Sequence, residues 1–237
     1  MSVFDVAIIG GGLAGKSTAI HLLKKGYSVL ILEKSKPNKY IPCAGGVATS
    51  IKNYLPLNLE NTIESEIKRV HFSWKNEDPV IAELCGKSPF LIINRKSLDE
   101  SLTKEVNRFK AKILFSINIE SLKFNNDNWL INCQNKNFFR AKYLVIADGS
   151  QSFWASYLSL GPRRPKYANT ISINIKGLGN IEKNTVRFEF GSIKYGFAWA
   201  FPMRESINIG IGSFIGDSKK FNKELCDYIV QNFGFKN

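Results

Sequence analysis

The stretch "AIIGGGLAGKSTAIHLLKKG", residues 7–26, decides the fold, because it satisfies two phosphate-binding patterns at once. Spaced as G-x-G-x-x-G it uses Gly10, Gly12 and Gly15, the turn between strand and helix in a dinucleotide-binding βαβ unit. Spaced as G-x-x-x-x-G-K-[ST] it runs from Gly10 to Gly15, Lys16 and Ser17, the loop of a nucleoside-triphosphate site. Residues beyond the glycines separate the two readings. The extended dinucleotide form is G-x-G-x-x-G-x3-A-x2-L-x3-G, and Ala19, Leu22 and Gly26 all fall in place. A small Ala19 with Leu22 lets the helix pack closely on its sheet. Glu33 ends the next strand 18 residues after Gly15, near the ~20 expected of the carboxylate that binds ribose hydroxyls.

The triphosphate reading draws some support from "YLVIAD" (143–148), which is shaped like a magnesium-holding strand end. No longer helix, switch region or guanine-reading motif accompanies it. The sequence therefore predicts a dinucleotide site, with Lys16 as a surface or phosphate-proximal lysine. An acid at residue 33 suits an adenosine with a free 2′-hydroxyl, hence FAD or NAD rather than NADP.

Around this unit the chain alternates short elements. Residues 3–9 form an apolar strand, Leu13–Lys25 a helix closed by Gly26, and "YSVLILEK" a further strand. "PNKYIPCAGG" (37–46) is loop. "KRVHFSW" (68–74) places Val70, Phe72 and Trp74 on one face. In "FLIINRKSLDESLTKEVNRF" a strand precedes a helix, with Ser97 and Glu100 as a capping box and Leu98, Leu102, Val106 and Phe109 as its buried stripe. "ILFSI" is another strand. Residues 119–142 read as a β-meander around "NNDN" and "QNKN", and "YLVIADG" as a separate buried strand. From 168 onward the strands lengthen, with Ile171/Ile173/Ile175, Val186/Phe188/Phe190, Phe197/Trp199/Phe201 and Ile207/Ile209/Ile211 as apolar rows of one antiparallel sheet. Residues 218–237 begin a helix.

Composition narrows the function. With 237 residues, 44% of them hydrophobic, the chain builds a sizeable core as one large or two interleaved domains. Its start lacks the basic and apolar regions of a signal peptide, and no apolar run nears the ~18 residues of a membrane span. Cys43, Cys85, Cys133 and Cys226 are scattered, which suits reduced thiols in a cytoplasmic protein. No metal-ligand spacing occurs, and His21 and His71 stand alone as structural or solvated residues. The net charge of +13 comes from dispersed lysines. The nearest cluster is "GPRRPK" (161–166), a solvated loop. That distribution argues against nucleic-acid binding and is compatible with attraction to an anionic membrane surface.

Four further motifs carry a family resemblance. "LVIADGSQS" (144–152) resembles the Asp-Gly motif of p-hydroxybenzoate-hydroxylase-like flavoproteins, and "NRKSLDESL" (94–102) resembles their R-x-x-L/F-D-x-x-L element. "IPCAGGV" (41–47) is similar to the P-C-x-G-G loop of the geranylgeranyl reductase family within that superfamily. "YGFAWAFP" (195–202) resembles the same family's Y-x-W-x-F-P element, with Phe197 where tyrosine is usual. The resemblance implies FAD as cofactor, with NADPH or another reductant as electron donor. It implies contacts to FAD from Gly10, Gly12, Leu13, Ala14, Gly15, Glu33, Lys34, Cys43, Ala44, Gly45, Gly46, Arg95, Asp148 and Gly149. Phe197, Trp199, Phe201 and Pro202 then line a channel for a prenyl-chain substrate, or are ordinary strand core. Cys43 assists protonation or substrate positioning, or is a small loop residue.

The expected architecture is α/β: a Rossmann-like FAD-binding domain (1–62 and 88–160) interleaved with an antiparallel substrate domain (63–87 and 161–217), followed by the start of a helical part (218–237). The expected function is hydride transfer from reduced flavin to isoprenoid C=C bonds. The alternatives are a flavin monooxygenase of the same fold, or a non-catalytic remnant. The family's other glycine-aspartate motif, nearer its C-terminus, has no counterpart here, because "IGDSKK" (215–220) comes too early. The sequence therefore reads as a fragment, as a natural truncation, or as a chain whose C-terminal part a partner chain supplies.

Overall fold

The computed structural model describes residues 3–37, 39–55, 57–86, 88–134, 136–161, 166–215 and 220–233. In chain order the strands are β1 (Phe4–Ile9), β2 (Val29–Leu32), β3 (Gly46–Ala48), β4 (Ile63–Ile67), β5 (Arg69–Trp74), β6 (Glu77–Glu83), β7 (Phe90–Ile93), β8 (Lys112–Leu114), β9 (Ile119–Asn125), β10 (Asn128–Cys133), β11 (Phe138–Ile146), β12 (Asn169–Lys176), β13 (Thr185–Phe190), β14 (Gly196–Pro202) and β15 (Ser206–Ser213). The helices are α1 (Leu13–Lys24), α2 (Ile51–Tyr54), α3 (Arg95–Arg108), α4 (Phe153–Tyr157) and α5 (Phe221–Phe233).

Two compact units result, one from residues 1–40, 55–58 and 96–165, the other from 41–54, 59–95 and 166–237. These bounds shift the expected ones. The 41–54 segment, residues 88–95 and the last helix all belong with the second unit, because β3 and β4 pair with β7 and α5 covers β15 and β12.

The first unit is a six-stranded sheet in the order β8-β2-β1-β11-β10-β9. Its centre is parallel and buried on both faces, so β1 and β2 are nearly continuous apolar runs. The expected meander and the expected separate strand at 143–148 are one element. The first half of β11 pairs antiparallel with β10, Trp129 opposite Ala141, and its second half runs parallel to β1, Ile9 opposite Ile146. Asn126 and Asp127, both at left-handed φ (46° and 60°), make the tight β9–β10 turn, as Asn and Asp tolerate that region. Strand β8 stops at Leu114, because Ser116 turns at φ 57°. Helix α3 begins at Arg95, so Ser97 lies inside its first turn instead of capping it. Asn94, a good capping residue type, precedes the helix. Leu98, Leu102 and Val106 are its buried stripe, and Phe109 lies beyond its end.

The second unit has a six-stranded sheet, β12-β15-β14-β13-β5-β6, and a three-stranded one, β3-β7-β4. The long strands form two apolar faces, where one was expected, and β13 runs parallel to β5. Val70, Val186, Phe188, Trp199 and Phe201 pack on one face with Ile67 and Ile92. Ala198, Ala200, Ile207, Ile209 and Ile211 occupy the other, beneath Phe221, Leu225 and Tyr228 of α5. Register explains the division: Trp199 lies opposite Gly210 while Ala200 lies opposite Ile209, so large and small residues alternate through the sheet. Residues 162–165 and 216–219, which include most of "GPRRPK" and "IGDSKK", lie outside the described residues.

Candidate functional site

In the first unit, three neighbouring strands end together in the order β2-β1-β11, carrying Glu33, Gly10 and Asp148. The carboxyl edge of a parallel sheet is where such folds bind ligands. Gly10 takes φ 105°, and a Cβ there would stand 2.2 Å from the Ala147 carbonyl oxygen. Only glycine lets β1 turn so close to β11. A Cβ on Gly15 would lie 1.9 Å from the Gly10 oxygen, so the helix is seated directly on the loop.

Gly12 differs from both. It is the N-cap of α1 with no side-chain cap, and no acid occupies the helix's first turn. Apart from its chain neighbours, no protein atom lies within 4 Å of where its Cβ would stand. First-turn N–H groups lack intrahelical acceptors, and the helix dipole is positive here. The position is a cradle open to an anion, and it fits the pyrophosphate of a dinucleotide. Leu13 is half-buried and Ala14 exposed in the same turn.

Glu33 is half-buried and fixed by backbone: Gly11 N–H donates to its Oε2 at 2.6 Å and Ser35 N–H to its Oε1 at 2.7 Å. Each carboxylate oxygen keeps acceptor capacity for a ribose hydroxyl. Lys34 beside it is exposed. Asp148 is half-buried and engaged within the chain, accepting from the Ser152 hydroxyl and, at 3.5 Å, from Trp154 N–H. Ser152 in turn caps α4 by accepting from Ala155 N–H at 2.9 Å. Gly149, at φ 97°, borders open space.

Lys16 is neither at the surface nor turned to the loop. It is 2% exposed, and its Nζ lies 2.6 Å from Asp99 Oδ2 on α3. Such a lysine cannot act as the phosphate-gripping residue of a triphosphate loop while that pair holds. The triphosphate match is coincidental in geometry as well as in pattern.

The other sequence-predicted residues lie in the second unit. Cys43 is exposed and Ala44 half-buried. Gly45, at φ 81°, places its Cβ direction 2.3 Å from the Ile93 oxygen, and Gly46 points at Phe90 and Phe201. Close packing on β7 and on these two phenyl rings is one requirement for glycine at both positions. Arg95 opens α3 and is half-buried. Trp199 and Phe201 are 8% and 7% exposed and Pro202 is buried. Trp199 Nε1–H donates to Asn208 Oδ1 at 2.9 Å, and Asn208 Nδ2–H donates to Asn174 Oδ1 at 2.7 Å. Phe197 is half-buried and continues the aromatic face, with ring centroids 5.8 Å from Phe190, 6.0 Å from Phe188 and 6.0 Å from Trp199.

Several contributors escape a reading of the sequence. Gly11 brings its N–H to Glu33, and the triple glycine is the only hint of it. Ser152 locks Asp148; a serine before an aromatic run is a legible cap signal. Gly210 leaves space for Trp199, since its Cβ would stand 2.1 Å from that ring. On the opposite face His71 lies beside Arg187, with a buried Nε2 that has no partner among the described residues. Burial, and then the Arg187 charge, hold its pKa below the usual histidine value. No described group of histidine, cysteine or acidic residues could hold a metal ion, and no described helix is long and apolar enough to cross a membrane.

Comparison with known proteins adds three findings. A family model described as an FAD binding domain matches residues 3–191. The chain is 29% identical over 231 residues to an uncharacterized protein of Methanosarcina barkeri, covering 97% of this chain and 59% of that one. It is 24% identical to the digeranylgeranylglycerophospholipid reductase of Methanocaldococcus jannaschii, covering 97% and 60%. Among solved structures, a geranylgeranyl bacteriochlorophyll reductase-like protein of Thermoplasma acidophilum superposes with TM-score 0.84 at 20% identity, covering 98% of this chain and 62% of that one. The chain thus spans about three fifths of the length of these relatives.

Proposed function

We propose, from the premise that the chain belongs to the FAD-binding domain family, that its first unit seats FAD and its second receives a prenyl chain, as parts of a reductase of isoprenoid C=C bonds. The observation that carries the cofactor half is the open cradle at Gly12, between the strand ends bearing Glu33 and Asp148. The names of the curated relatives support the substrate half.

FAD, when bound, supplies hydride chemistry from its reduced ring. The chain's own residues do the rest. The α1 turn from Gly12 through Leu13 and Ala14 to Gly15 takes the pyrophosphate, and Glu33 the ribose hydroxyls. Lys34, Asp148 and Gly149 complete the contacts within this unit. Phe197, Trp199, Phe201 and Pro202 offer an aromatic wall to the substrate. An unactivated alkene presents nothing to hydrogen-bond, so alignment and exclusion of water matter more than acid strength. Cys43 positions the substrate or aids its protonation. NADPH or another reductant supplies electrons, and an anionic membrane surface holds the protein near its substrate.

The test is the visible spectrum of the purified chain with FAD, and with ATP as control, after desalting. Retained oxidised flavin supports the reading, and a colourless protein overturns its cofactor half. Anaerobic saturation of a digeranylgeranyl lipid by the reduced protein supports the substrate half. Substrate-dependent oxygen uptake in its place identifies an oxygenase.

A further inference from the structure

The second unit carries an exposed apolar rim that neither its core nor the FAD contacts use. Strands β5 and β13 run parallel and end at Trp74 and Phe190. Strand β14 starts beside them, with Phe197 opposite Phe190, and β15 ends there, with Ser213 opposite Gly196. One end of the sheet therefore gathers the turns after β5, β13 and β15. The side chains there are 56% exposed at Trp74, 59% at Tyr195 and 65% at both Phe214 and Ile215.

These residues are held in place. Phe214 N–H donates to the Tyr195 oxygen at 3.0 Å and Lys75 N–H to the Phe190 oxygen at 2.8 Å. The Ser213 Oγ lies 2.8 and 2.7 Å from the carbonyl oxygens of Lys194 and Ile215, and its one proton bridges them. Trp74 lies against Gly191. Two lysines share the rim: exposed Lys75, and Lys194, whose Nζ lies 5.2 Å from the centre of the Tyr195 ring. Glu77 and Asp78 at the start of β6 offset this locally, while the chain as a whole carries +13.

We infer that this rim docks on an anionic lipid bilayer. Tryptophan and tyrosine favour the interface between headgroups and acyl chains, and Phe214 and Ile215 suit shallow burial in the acyl region. The two lysines and the long-range positive potential match anionic headgroups. The rim is also continuous with the aromatic face, since the Phe214 and Phe197 ring centroids are 6.4 Å apart. A prenyl chain entering from the bilayer thus meets Phe197 first. That direction of delivery rests on the prenyl reading above; the docking itself does not, and its assay needs neither flavin nor turnover.

The experiment is co-sedimentation with vesicles of phosphatidylcholine and phosphatidylglycerol, 7:3, and of phosphatidylcholine alone. The expected result is binding to the anionic vesicles that weakens with salt. Phe214→Ser with Ile215→Ser should lower the partition coefficient about tenfold or more, as removal of two inserted apolar side chains predicts. Lys75→Glu with Lys194→Glu should lower it on anionic vesicles. Trp74→Phe should abolish most of the fluorescence quenching by brominated lipid. Unchanged melting temperatures confirm that the variants fold. Equal binding by the Phe214/Ile215 variant overturns the inference, as does no binding by the parent chain. A self-association lost in that variant, with no vesicle binding, would make the rim a protein interface and overturn it equally.

Discussion

Gly12→Ala should separate cofactor binding from folding, and Gly15→Ala should not. At Gly12 the backbone is ordinary, φ −76°, and an added methyl meets nothing within 4 Å. Alanine caps a helix less well than glycine, so the cost to the free protein is ~0.5 kcal/mol, about 1–2 °C in melting temperature for a chain of this size. The same methyl stands in the anion cradle. It displaces the pyrophosphate from N–H groups whose hydrogen bonds to a charged ligand are each worth ~1.5–3 kcal/mol. The dissociation constant for FAD should therefore rise by about tenfold or more. At Gly15 the methyl would stand 1.9 Å from one backbone oxygen and 3.3 Å from Ile8 Cγ2. Strand and helix must separate, at ~4 kcal/mol or more, a large share of the ~5–15 kcal/mol by which domains are stable. Thermal denaturation without ligand and equilibrium dialysis with FAD read the two effects. If Gly12→Ala binds FAD as the parent does, the pyrophosphate is not seated there. If Gly15→Ala melts with the parent, the account of the loop fails.

Three other outcomes follow from the packing. Gly210→Ala forces a methyl into the Trp199 ring and should cost ~1–3 kcal/mol or more. Adding Trp199→Phe removes the offending ring atoms and should restore part of that stability, a coupling above ~0.5 kcal/mol in a double-mutant cycle by urea unfolding. Asp99→Ala strands the buried Lys16 charge and should cost ~2–3 kcal/mol, below the fully buried range because Asp99 keeps some contact with water. The double variant Lys16→Met with Asp99→Leu should then lie closer to the parent than Asp99→Ala does. His71 has a depressed folded pKa, so the unfolded chain binds the extra proton first as pH falls. Its contribution is complete above the unfolded value of ~6.5 and is lost on acidification below it. His71, facing Arg187 and Glu189, should thus give the melting temperature a slope below about pH 6.5 that His71→Gln flattens.

The dinucleotide unit is legible in the sequence because its constraints are local. Gly10 and Gly26 turn the chain at positive φ, Gly15 abuts Gly10, and Glu33 ends the very next strand, all within thirty residues. The rows of alternating residues are legible for the same reason, since period two is a local property. What the sequence does not disclose depends on register. Trp199 and Ile209 look alike as inward apolar residues, yet pairing with Gly210 and Ala200 sends them to opposite faces. Strand β11 joins a meander to a parallel sheet, and no residue within it marks the change of partner. The place of Lys16 is hidden because its partner Asp99 is 83 positions away, on a helix whose start the capping pattern sets too late.

Lys16 also bears on which ligand the loop takes. A triphosphate loop offsets its ligand's charge with a lysine that reaches the β- and γ-phosphates. Here that lysine is buried against Asp99, and the first turn of α1 offers only backbone N–H groups and the helix dipole. Such a seat suits the diphosphate of a dinucleotide, whose charge is smaller and whose adenosine gains a further hold at Glu33. Replacing Asp99 by alanine frees Lys16 without adding any other part of a triphosphate site, because Asp148 remains committed to Ser152 and Trp154. MgATP should therefore not be hydrolysed by the parent or by Asp99→Ala, and should not displace FAD at concentrations near the FAD dissociation constant. Competition by MgATP that appears only in Asp99→Ala would show that the ion pair selects the ligand. Competition already in the parent chain would return the loop to the triphosphate reading.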